Sequence, residues 1–143
     1  MREITPRLIW TGNARDAREL SKLLSLEIAA IVDLAIEEPP VQPPRDLIYC
    51  RFPLFDGAGN RPGVLRAAMD TTARLFASGI PTLVACSSGM SRSPAITAAA
   101  LAAVQSMPLD DALIQVAENG PHDVSPSLWS EVERSFQKPQ GKA

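Results

Sequence analysis

The sequence predicts an α/β fold: a small central, mostly parallel sheet flanked by helices. Two observations carry that expectation. Short β-branched apolar runs alternate with helix-like runs over most of the chain, and the helix-like runs gather at the C-terminal end. A third observation sets the scale. The chain has 143 residues, of which 45% are hydrophobic and 21% charged, enough material for one domain with its own core and too apolar for a disordered chain.

The strand-like runs are residues 8–10, 28–34 (IAAIVDL), 47–52 (LIYCRF) and 82–85 (TLVA), short and rich in β-branched residues as buried strands are. The helix-like runs are 14–24, 63–78, 94–104, 108–119 and 126–137. In the second of these, Leu65, Ala68, Met69, Thr72, Leu75 and Phe76 recur at three- and four-residue steps and Gly79 follows as a stop. Pro94, Pro108 and Pro126 each fall where a first helical residue belongs, with Ser93 placed to cap the helix that Pro94 opens. The last helix has an apolar face of Leu128, Trp129, Val132 and Phe136, read as core packing. The proline-rich stretch 37–46 reads as a stiff surface loop inside a single domain, 1–143, with residues 138–143 expected to form a flexible tail.

Composition narrows the function classes. The formal net charge is −2 and there is no basic run, which argues against nucleic acid as a partner. Two cysteines and one histidine make neither a disulfide framework nor a four-ligand zinc site, so no metal and no cofactor is expected. The opening MREITPRLIW lacks the apolar run of a secretory signal, and the longest apolar stretch, 95–104, is too short to span a bilayer. The expectation is a cytoplasmic monomer with reduced thiols and no membrane partner.

The chemistry is concentrated in PTLVACSSGMSRSPAITAAA, residues 81–100. A buried strand ends at Ala85, a small polar loop runs from Cys86 to Arg92, and a helix follows. Such a unit turns several main-chain N–H groups and the positive end of a helix dipole onto one point, which suits a phosphate-sized anion. Ser87, Ser88, Gly89, Met90 and Ser91 line it, and Gly89 permits the tight turn. The same donors stabilise a thiolate at Cys86 and make it a nucleophile. Arg92 is the only charged side chain between Leu75 and Leu109, an expensive placement unless an anion meets it. Ser93 is placed to donate to the sulfur. Asp56, on the Gly-rich loop after strand 47–52, is the candidate proton donor, on a segment free to swing over the pocket. Asp33 and Asp70 are weaker candidates. Arg61 and His122 read as surface residues, and Cys50 as a mid-strand core residue.

The string C-S-S-G-M-S-R-S resembles the Cys-x5-Arg-Ser/Thr signature of the cysteine-dependent protein phosphatases, and the short chain is similar to the dual-specificity branch. LIWTGNA (8–14) is similar to that branch's opening strand and turn, IAAIVDLA (28–35) to its second strand, and YCRFPLFD (49–56) to its general-acid segment. The resemblance implies a nucleophile at Cys86, a phosphate clamp at Arg92, a general acid at Asp56 and an assisting hydroxyl at Ser93. It implies a phosphorylated protein or small phosphomonoester as substrate. A disulfide between Cys50 and Cys86, of a kind found in the family, is a further implication. One departure stands out: the family's usual histidine before the cysteine is Ala85 here, which implies a looser loop or a less activated thiol. A phosphate-binding module without turnover and a rhodanese-like sulfur transferase are the competing readings. The neutral loop favours a singly phosphorylated group, since no extra cation meets additional charge.

Overall fold

The Val- and Ile-rich segments pair into one five-stranded sheet. The computed structural model describes residues 1–118 and 120–137. The strands are β1 (Arg2–Thr5), β2 (Ile9–Gly12), β3 (Ala30–Ala35), β4 (Ile48–Leu54) and β5 (Thr82–Ala85), in the order β1-β2-β5-β3-β4. Only the β1–β2 pair is antiparallel; β2–β5, β5–β3 and β3–β4 are parallel. The loops that follow β2, β3, β4 and β5 therefore all leave one edge of the sheet, where an α/β protein places its ligands.

The burial of each strand explains its sequence. All six residues of β3 are buried, so it is apolar on both faces instead of alternating, Asp33 being the one polar residue. β4 is an edge strand of mostly half-exposed residues, and it tolerates Pro53 for that reason. β1 is not legible as a strand in the sequence, because Arg2 and Glu3 give it the charged character of an edge.

Four helices cover one face: α2 (Pro62–Ala77), α3 (Arg92–Gln105), α4 (Leu109–Ala117) and α5 (Pro126–Gln137). The other face is covered by α1 (Leu20–Ser25), a 3-10 turn at Asp16–Arg18, and Val41 and Leu47 from the β3–β4 loop. All six residues of the apolar face read in α2 are buried. Residues 92–102 of α3 are buried on every side, and their alanines let neighbouring helices approach closely. Leu128 and Val132 of α5 are fully buried, and Trp129 and Phe136 pack against the same core.

Several helix boundaries depart from expectation. The run 14–24 is two short pieces, broken at Glu19, whose ψ of 67° leaves the helical range. Helix α3 begins at Arg92, two residues before Pro94; Ser91 is its flanking residue and Ser93 lies inside the first turn, so Ser93 does not cap it. Pro108 precedes α4 in an extended conformation rather than opening it. Pro126 does open α5, and the Leu128 N–H donates to the Ser125 hydroxyl at 3.4 Å. The tail expected at 138–143 lies outside the described residues, and so does Asn119. Among the described residues, no helix is long and apolar enough to cross a membrane.

Candidate active site

The loop 86–91 joins β5 to α3 at the ligand-bearing edge of the sheet. Its shape is set from behind by the end of β2. The Cys86 N–H donates to the Gly12 carbonyl at 3.2 Å, and the Ala14 N–H donates to the Ser87 carbonyl at 3.2 Å. Gly89 has φ +77°, and a Cβ there would lie 2.9 Å from the Gly12 carbonyl carbon and oxygen, so both the dihedral and the contact require glycine. The Cys86 sulfur lies at the floor of the loop, 1% exposed, and accepts the Gly89 N–H at 3.2 Å.

Arg92, the first residue of α3, turns its guanidinium inward and is 3% exposed. Its Nη1 donates to the Leu54 carbonyl at 2.8 Å and to Glu37 Oε1 at 2.6 Å, and its Nη2 donates to Glu37 Oε2 at 2.6 Å. Burial opposes the charge on Arg92, but the hydrogen bond to Glu37 and the fields of Cys86, Glu37 and Asp56 outweigh it and raise the pKa. The Arg92 hydrogen bond likewise holds the Glu37 carboxyl down at about 2, against the smaller opposing effect of burial.

A guanidinium carries five N–H groups, and these contacts occupy three. The remaining pair, Nε–H and the second Nη2–H, lies along one side of the guanidinium plane. The Nε atom is buried without a hydrogen-bond partner, which is costly for a charged donor unless a ligand supplies the acceptor. A side-on pair of this kind matches two oxygens of a tetrahedral oxyanion.

Glu37 lies in the stretch 37–46 that reads as a stiff surface loop, and the sequence does not single it out. The Arg51 side chain holds this loop by donating to the carbonyls of Ala35 (3.2 Å) and Glu38 (2.7 Å). The Ser87 hydroxyl faces both Glu37 Oε2 (2.7 Å) and Glu38 Oε2 (2.9 Å). Asp33, once a rival acid, is 4% exposed and anchors this support: it accepts the Tyr49 hydroxyl at 2.6 Å and pairs with Arg51 at 3.3 Å. Two adjacent carboxylates directly after a central strand were the available signal.

Asp56 sits on the exposed loop after β4, as expected, but the loop is tied down rather than free to swing. The Ser91 hydroxyl donates to Asp56 Oδ1 at 2.5 Å and accepts the Ser125 N–H at 2.9 Å. The segment before α5 closes over the phosphate-sized loop at a second point, where the Asp123 N–H donates to the Met90 carbonyl at 2.8 Å. His122 lies half-buried in that segment, its Nδ1 accepting the Val124 N–H at 3.4 Å. The Ser88 hydroxyl accepts the Met90 N–H at 3.2 Å. The Ser93 hydroxyl donates to the Gly12 carbonyl at 3.3 Å; its expected bond to the sulfur is not made in this conformation. Ala85, where a histidine was expected, is 1% exposed and packs with Trp10 and Leu83.

Cys50 is half-buried on edge strand β4 rather than in the core, and burial pushes its thiol pKa up. Cys50 and Val84 flank Val32 on opposite sides, so β3 separates the two cysteines by about 9.6 Å laterally, two strand spacings. A disulfide needs Cα atoms within about 7 Å, so Cys50 and Cys86 cannot pair in this fold. Asp70 lies on α2, 3.4 Å from Arg66, and Arg61 is exposed.

The mostly parallel sheet carries a cysteine–arginine loop between β5 and α3, where the sequence resemblance implied one. No protein-family model and no curated protein matches the chain. Solved structures do. Human DUSP28 matches at a TM-score of 0.79 and 26% identity, over 96% of each chain. A mouse protein of the dual specificity phosphatase kind, solved complexed with zinc tungstate, matches at 0.78 and 28%, over 95% of this chain and 86% of that one. The human tyrosine phosphatase-like serine/threonine/tyrosine-interacting protein matches in fold at 0.77 and 21%, over 94% of this chain and 93% of that one. The chain has the fold of the dual-specificity branch, as the sequence resemblance implied.

Proposed function

We propose that the protein is a phosphatase that hydrolyses phosphomonoesters on protein tyrosine, and on serine or threonine, through a phosphocysteine intermediate. The observation that carries this reading is the free, buried side-on edge of Arg92 beside the Cys86 loop. The likeness to dual specificity phosphatases supports it.

In the first step the Cys86 thiolate attacks phosphorus in line with the ester oxygen. An S–P bond forms, the P–O bond breaks, and Asp56 gives its proton to the departing alkoxide or phenoxide. The loop N–H groups and the Arg92 side-on edge hold the equatorial oxygens throughout. In the second step Asp56 takes a proton from water, which attacks phosphorus; the S–P bond breaks, Cys86 is regenerated as the thiolate, and inorganic phosphate leaves. Ser91 holds Asp56 Oδ1 as an acceptor, so the transferable proton belongs on Oδ2.

The substrate class follows from charge. The loop's own side chains are neutral, Glu37 and Glu38 stand beside Ser87, and the Arg2 guanidinium beside Met90 is engaged by the Met90 sulfur and the Pro121 carbonyl, an arrangement that disfavours a second phosphate. A singly phosphorylated peptide is the fitting substrate. Glu37 keeps Arg92 charged and oriented whether or not a ligand is present, which suits turnover and equally suits a binding module. Turnover of an aryl phosphate separates the two. Wild type is expected to hydrolyse it with sensitivity to vanadate and thiol alkylation but not to a chelator. Cys86→Ser is expected to abolish the activity. Equal rates for the two proteins would remove the enzyme reading.

A further inference from the structure

We propose that Asn60 and Glu131 are positioning residues for Asp56, fixing the acid loop to α5 so that proton delivery depends on a helix outside the Cys86 loop. The inference rests on the phosphatase reading above.

The contacts are dense for an exposed loop. Asn60 is 8% exposed, and its side chain spans the turn. Its Oδ1 accepts the Phe55 N–H at 2.7 Å, while Nδ2 donates to the carbonyls of Phe55 (3.2 Å) and Gly57 (3.0 Å) and to Glu131 Oε1 (2.9 Å). Glu131 completes the frame: Oε2 accepts the Gly59 N–H at 2.8 Å and Oε1 accepts the Asn60 N–H at 3.3 Å. Gly59 has φ +94°, a left-handed backbone that glycine adopts freely. The Asn60 side chain thus ties Phe55 and Gly57, on either side of Asp56, and the Glu131 carboxylate from α5 in turn holds Gly59 and Asn60. The carboxyl group of Asp56 is fixed from the other side by Ser91, whose hydroxyl also accepts the N–H of Ser125, the residue just before α5. Both restraints on the acid converge on the same helix.

Glu131 stays ionised in this frame. Burial pushes its carboxyl up, but the Asn60 side chain, the N–H groups of Gly59 and Asn60, and Arg134 together hold it below the usual carboxylate range. An ionised acceptor makes stronger hydrogen bonds to main-chain donors than a neutral one. A loop of this composition, with Gly57 and Gly59, would otherwise sample many conformations.

A residue that acts through the general acid has a signature that a merely structural residue lacks. General-acid help is needed when the leaving group is a poor one, such as tyrosine with a pKa of about 10, and is dispensable for an activated phenol. The experiment compares wild type, Glu131→Ala, Glu131→Gln, Asn60→Ala, Asp56→Asn and Cys86→Ser on a phosphotyrosine peptide and on a nitrophenyl-type ester, with thermal melts alongside. Glu131→Ala and Asn60→Ala are expected to lose about 10-fold or more in kcat/KM on the peptide and less than about 3-fold on the activated ester, parallel to Asp56→Asn; kcat/KM is the readout because it reports phosphoryl transfer to Cys86 and not the later hydrolysis common to both substrates. Glu131→Gln, which keeps one carbonyl acceptor, is expected to recover part of the loss, and it carries the test should the alanine variants not fold. Equal losses on the two substrates, or full activity on the peptide, would overturn the proposal while leaving the phosphatase reading intact. A wild type no faster than Cys86→Ser on either substrate takes both down.

Discussion

Arg92 and Glu37 show how one ion pair divides a guanidinium between support and capture. The carboxylate takes the end-on edge and leaves the side-on edge free. Glu37→Ala should therefore weaken oxyanion binding without removing the thiol. We expect kcat/KM to fall about 10- to 100-fold, with vanadate inhibition weakened in parallel, because a small displacement of a clamp is expensive. Unchanged vanadate inhibition in that variant would mean that Arg92 holds its orientation without Glu37. Asp33 acts one step further away, through Arg51 and the backbone of 35–38.

At the scale of elements, the decisive unit is the turn between β5 and α3. Its curvature rests on Gly89 standing against Gly12 of β2. Gly89→Ala places a Cβ in contact with the Gly12 carbonyl and forces a left-handed residue, which costs about 1–2 kcal/mol from the dihedral alone. Turnover is expected to fall more than about tenfold, since the loop N–H groups would no longer converge on one point. A melt together with aryl phosphate kinetics checks this, and a variant of full activity would show that the loop shape does not depend on the Gly12 contact. Helix α5 matters in a similar way, because it presents Glu131 to one loop and places Ser125 against another.

For the whole molecule, pH dependence follows from the two lowered carboxylates. Glu37 is held at about 2 rather than 4.5, and Glu131 is lowered as well. A group whose folded pKa lies below its unfolded value contributes stability above the unfolded pKa and loses it as pH falls through the folded one. The contribution of Glu37 should be complete above about pH 4.5 and disappear towards pH 2. Because Glu37 is half-exposed, solvent screening keeps this contribution modest. Urea midpoints measured across that range should decline less steeply in Glu37→Gln than in wild type, and identical slopes would show that the pair adds nothing to folding.

The sequence alone determined the sheet-and-helix class, four of the five strands, the α2 and α5 faces, and the strand–loop–helix that carries Cys86 and Arg92. These are local properties: an apolar run, a glycine where the chain must turn left-handed, a helix opening next to the loop. The tertiary structure alone decided how the site is held. Arg92 meets Glu37 across a separation of 55 residues, Asn60 meets Glu131 across 71, and Ser91 meets Asp56 across 35. No periodicity or turn signal encodes such pairings. They arise because a parallel sheet delivers the ends of β3, β4 and β5 to one edge, where side chains remote in the chain become neighbours.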